Sequence, residues 1–116
     1  MGNEIKIQIY KVIDNKDAVS SEDGILLFKA IVKAFNENAV VTLDFENIES
    51  ITSAFLNAAI GQLYSKYDSA KLREYLKLVN IVNGDLAMLK RVVERAKQYF
   101  KDKESMDDTI DETLNG

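Results

Sequence analysis

Seven consecutive residues, AVVTLDF at positions 39–45, constrain the fold of this chain most. They are rich in β-branched side chains and carry one charge, Asp44, near their end. A strand with one face in water alternates apolar and polar residues, so this run predicts a strand covered on both faces. Helices packed on a mostly parallel sheet are the usual way to cover such a strand.

The rest of the chain supplies those layers. EIKIQIYKVI (4–13) alternates, with Ile5, Ile7 and Ile9 on one face and Lys6, Gln8 and Tyr10 on the other. It predicts a strand with one buried face. Ser20-Ser21-Glu22-Asp23 places hydroxyls and carboxylates ahead of a helix over 22–36, whose stripe is Leu27, Phe28, Ile31 and Phe35. A second helix over 53–67 has its stripe at Leu56, Ala59, Ile60, Leu63 and Tyr67. A third strand is expected over 75–81 and a last helix over 85–100, with Leu86, Leu89, Val93, Ala96 and Phe100 at helical spacing. The order β-α-β-α-β-α implies parallel strands joined by crossovers. Function in such sheets gathers at the loops beyond the carboxyl ends of the strands, here Asp44 to Thr52. There is no Pro, so caps and Gly must set the helix ends.

The chain has 116 residues, enough for one domain. Its net charge of −4 is unevenly placed. Residues 101–116 hold two lysines against six carboxylates, which leaves 13 basic and 13 acidic groups in the first 100. We therefore expect a neutral domain over 1–100 and an acidic, disordered tail over 101–116. A neutral body gives no reason to expect nucleic acid as a partner. No apolar run approaches a membrane span, and MGNEIKIQIY lacks the features of a signal peptide, so the expected location is the cytoplasm without membrane association.

The chain contains neither His nor Cys. That removes the commonest general base, thiol nucleophiles and the usual transition-metal ligands. No phosphate-binding glycine loop is present. An enzyme is not expected, and no cofactor is implied.

What remains is the loop after the central strand. Asp44, Glu46 and Glu49 are three carboxylates that suit either a hard cation or ordinary turn-capping and solvation. Ser50, Thr52 and Ser53 stand at the start of the second helix. A hydroxyl there caps a free backbone amide, worth about 1 kcal/mol, or offers a phosphorylation site at the helix's positive end. Phe55 lies off the main stripe of that helix, where it either anchors a partner or packs under the first helix.

The segment Asp44 to Leu56, DFENIESITSAFL, resembles the signature of STAS domains, the fold of the anti-sigma-factor antagonists. In that family a buried strand ends in Asp, and Asp-Ser-Ser-Gly-Leu opens the next helix. Asp44 falls on the strand-end Asp, Thr52 on the second Asp, Ser53 and Ala54 on the two serines, Phe55 on the Gly and Leu56 on the Leu. Residues 4–100 are also similar to a STAS-like family of unknown function, through Ile51 to Leu56 and the late strand Leu76 to Asn80. The resemblance implies a mostly parallel central sheet of about four strands with helices packed on it. It also implies a regulatory protein-interaction module whose partner is a histidine-kinase-type ATPase. The family's phosphorylated serine falls on Ala54, which has no hydroxyl, so that switch cannot operate there. The candidate contact or phospho-switch residues are thus Asp44, Ser50, Thr52, Ser53 and Phe55. A small-ligand sensor for nucleotides or anions is the competing reading. The chain is expected to be a monomer or a weak homodimer.

Overall fold

The computed structural model describes the backbone of residues 3–115 and the side chains of residues 3–101. In chain order the elements are β1 (Asn3–Gln8), α1 (Ile9–Ile13), β2 (Asp17–Ala18), α2 (Ser21–Asn36), β3 (Ala39–Asp44), β4 (Ser50–Ile51), α3 (Ser53–Ala59), a 3-10 turn (Gly61–Ser65), α4 (Ser69–Tyr75), β5 (Leu76–Val79) and α5 (Asn83–Asn115). The main sheet has three strands in the order β1-β3-β5, and every pairing is parallel. β2 and β4 form a separate two-stranded parallel ladder. The architecture is the α/β one expected, with three strands in the main sheet where about four were anticipated. The expected disorder of 101–116 lies almost wholly outside the residues whose side chains are described.

β3 is the centre of the molecule. Ala39, Val41, Leu43 and Asp44 are all inaccessible to solvent. Ala39, Val41 and Leu43 make one fully buried face, while Val40 and Thr42 on the other face are half-buried and only Asp44 there is enclosed, so the strand expected to be covered on both faces is fully covered on one. α2 and α3 supply the thickest layer of the core, with Leu27, Ile31, Phe35, Phe55, Leu56 and Ala59 buried together. The two helices approach closely at Gly24. A Cβ there would stand 2.7 Å from both the Ala58 Cβ and the Phe55 carbonyl oxygen.

Three elements differ from the sequence expectation, one of them the last helix, expected over 85–100, whose backbone runs from Asn83 to Asn115. The strand expected over 4–13 stops at Gln8, and Ile9–Ile13 is helical. Ile9 and Ile13 are both buried, while Tyr10 and Lys11 are exposed, a helical spacing that the alternation of Ile5, Ile7 and Ile9 conceals. The helix expected over 53–67 ends at Ala59 and passes into the 3-10 turn; a further helix, α4, follows. Asp68 caps α4 by accepting from the Lys71 N–H at 2.8 Å.

With no Pro to punctuate the chain, Asp and Asn do it. Asp14, Asn38, Asn47 and Asn80 are the non-glycine residues with positive φ among those described, and no glycine adopts one. Asp and Asn tolerate the left-handed region better than other side chains. Three of these residues end α1, α2 and β5, and the fourth turns the loop after β3.

Candidate functional site

The carboxyl ends of β1, β3 and β5 converge on the side chain of Asp44. It is the buried charged residue among those described, with no exposed surface. Its Oδ1 accepts from the Glu46 backbone N–H at 2.9 Å and from the Asn80 Nδ2 at 2.8 Å. Its Oδ2 faces the Lys6 ammonium at 3.3 Å as an ion pair but accepts no hydrogen bond. The Asn80 amide holds the carboxyl below the usual carboxylate range, helped by the Glu46 amide and by Lys6; burial opposes them. One carboxylate thus ties the ends of the three strands together. Phe45 adds a backbone bond to the Val79 carbonyl at 3.1 Å.

The loop that leaves Asp44 is held against the loop before α2. Glu49 N–H donates to the Lys16 carbonyl at 2.8 Å, and Thr52 N–H to the Ala18 carbonyl at 3.1 Å. The Ser50 hydroxyl donates to Asp17 Oδ1 at 2.5 Å. The Thr52 hydroxyl donates to the Val19 carbonyl at 2.7 Å and accepts from the Phe55 N–H at 3.2 Å, which caps α3. On the outside, Lys16 and Glu49 pair at 3.0 Å with both side chains about two-thirds in water.

This geometry sorts the candidate residues. Asp44, Ser50 and Thr52 each have an internal side-chain partner, although Ser50 is itself exposed. Asp44 is also inaccessible, so it presents no oxygen to a partner or ligand. Phe55 is the largest fully buried side chain and cannot anchor a partner from the surface; the alternative core packing is the one it adopts. Its off-stripe position is explained by α2, which covers the second face of α3. Ser53 is exposed in the first turn of α3, and its hydroxyl has no partner among the described residues. Ala54 beside it is exposed as well. The three loop carboxylates do not converge: Asp44 faces inward and Glu49 is paired with Lys16. Among the described residues no group of His, Asp or Glu side chains is placed to hold a metal. α3 has seven residues, too few to make its amino end an anion site.

Asn80 is the functional-edge residue missed from the sequence. It ends the Leu76–Asn80 motif, and its signal is an Asn directly after a strand, where a positive φ of 59° is tolerated. Three exposed large apolar residues share this edge. Tyr10 follows β1, Val19 follows β2, and Val82, 64% exposed, follows β5.

These features define a small parallel α/β domain whose strand ends are clamped by one buried carboxylate, beneath a helix-opening turn that faces solvent. The family described as "STAS-like domain of unknown function (DUF4325)" matches residues 23–86, more than half of the chain. The chain belongs to that family. No curated protein and no solved structure matches it significantly. Among the described residues no helix is long and apolar enough to cross a membrane.

Proposed function

We propose that this domain is a non-catalytic regulatory module that binds a protein partner through the carboxyl edge of its sheet. The contact surface is the first turn of α3 at Ser53 and Ala54 with Val19 beside it, and it extends to Val82 after β5 on the same carboxyl edge of the sheet. The observation that carries this reading is a contrast within one loop. The side chains of Asp44, Ser50 and Thr52 hold the backbone in place, while the Ser53 hydroxyl and the neighbouring apolar residues are left in solvent. A surface fixed from beneath binds with little ordering cost. The absence of catalysis is supported by Asp44 itself. It is the most enclosed carboxyl group among the described residues, yet its pKa is pushed down and it is unreachable, so it offers neither a general acid nor a nucleophile.

The STAS resemblance makes a histidine-kinase-type ATPase the partner class to try first. Ser53 is the hydroxyl available for modification, with its neighbour Ala54 unable to serve. A phosphate there adds nearly two negative charges to the contact surface and acts as a switch.

The test is affinity capture from the source cell with the wild-type chain, Ser53→Glu, Val82→Glu and the remote control Glu74→Lys. The expected result is a partner held by wild type and Glu74→Lys and lost by the other two, with unchanged thermal melts. Equal retention by all four proteins would show that the surface is wrong.

A further inference from the structure

We propose that the outer edge of β1 is a second docking site, at which an extended acidic segment of a partner protein adds to the sheet as a fourth strand. β1 pairs with β3 on one side, and on its other side no strand bonds to it among the described residues. A groove of about 800 Å³ runs along that open side. Residues 5–8 line it consecutively. Successive strand residues point to opposite faces, so a groove touching four in a row follows the edge of the strand and not one face of the sheet. Its opposite wall is one stripe of α2, formed by Ala30, Lys33 and Ala34 and continued by Glu37 at the helix's C-cap. Two alanines in that stripe keep the wall low. Ile5, Val12 and Ala30 are partly exposed within the groove and give it an apolar lining.

The shape and charge select the occupant. A free strand edge offers main-chain hydrogen bonds to any extended peptide, and side-chain pockets decide which one. Four residues of edge span about 13 Å, room for a short strand. Apolar side chains on one face of that strand meet Ile5, Val12 and Ala30. The rim is basic: Lys6, Lys11 and Lys33 are exposed there against one carboxylate, Glu37, and Lys11 and Lys33 have no ion-pair partner among the described residues. Carboxylates alternating with apolar residues therefore fit. Lysine on an edge strand also deters self-pairing, but Lys11 and Lys33 stand on helices, outside the strand. A second copy of the chain brings one basic rim against another, which disfavours it as the occupant.

The test uses the full chain and two capped, fluorescent hexapeptides, Val-Glu-Val-Glu-Val-Glu and its lysine counterpart. Fluorescence anisotropy gives the affinity and amide NMR shifts give the location. The expected result is binding of the acidic peptide alone, weakened by salt, with the largest shifts at the amides of residues 5–8. Replacing Lys11 and Lys33 together by Glu should weaken it about ten-fold, the sum of two exposed charge pairs. Ser53→Glu should leave it unchanged, which separates this site from the one at α3. The proposal is overturned by equal binding of both peptides, by shifts centred on α3, or by no binding at millimolar peptide. It is also overturned by light scattering that shows a dimer with β1 amides at its interface.

Discussion

Asp44 carries more of this structure than any other single polar residue. Removing its carboxylate orphans the Glu46 amide and the Asn80 side chain and releases Lys6. Hydrogen bonds to a charged group are worth about 1.5–3 kcal/mol each, and these two share one oxygen. Asp44→Ala is therefore expected to destabilise the domain by about 3 kcal/mol in urea unfolding. The pKa of Asp44 is lowered in the folded state, so its contribution is complete above the normal carboxylate range and drains away as pH falls through the folded-state value. Melting temperature should drop on acidification, and Asp44→Asn should flatten that acid limb. A melting curve with unchanged pH dependence in Asp44→Asn would show that the clamp contributes nothing. Phe55 answers to different physics. Phe55→Ala leaves a cavity between α2 and α3 and is expected to cost about 3–5 kcal/mol. Position 55 is thus a probe of folding and not of partner binding. The sequence placed Asp44 at a strand end and left Phe55 between a partner anchor and packing under the first helix, the place it takes, but it did not show the Asn80 amide 36 residues away.

At the scale of elements, the α2–α3 contact and the α3 cap decide where the first turn of α3 points. Gly24 lets the two helices touch. Gly24→Ala gains up to about 1 kcal/mol of helix propensity, but its new methyl meets the Phe55 carbonyl and the Ala58 Cβ at 2.7 Å. Backbone cannot move aside cheaply, so overpacking wins and a net loss of about 1–2 kcal/mol is expected, read as a lower denaturant midpoint. Thr52→Ala removes the cap and the tie to Val19 together. It should cost about 1 kcal/mol or slightly more and raise hydrogen exchange at the first amides of α3. Helix α2 and the start of α3 were legible because stripe and cap agreed, but the end of α3 at Ala59 was not. α1 and α4 were not, because each spans less than two full turns and its apolar residues also fit a neighbouring pattern. Asp68, followed by a small residue and an apolar one, was the available signal for α4.

For the whole molecule, β1-β3-β5 pairs segments far apart in sequence, with Ile5 beside Val41 and Val41 beside Leu76. Such contacts make folding slower than in helical bundles. The chain contains no Pro, so refolding should lack the phase of tens of seconds that proline isomerisation causes. A stopped-flow trace with one relaxation is expected, and a slow proline-like phase would contradict it.

The sequence by itself determined the α/β class, the central strand and the identity of the segment that opens α3. These follow from local periodicity and composition, which are properties of neighbouring residues. Only the tertiary structure decided which side of that segment faces out. Asp44 and Phe55 went inward because β5, through Asn80, and α2, through Gly24, came to meet them. Ser53 stayed in solvent because none of the described residues packs over it. Such a choice depends on residues distant in the chain, and no local pattern records it.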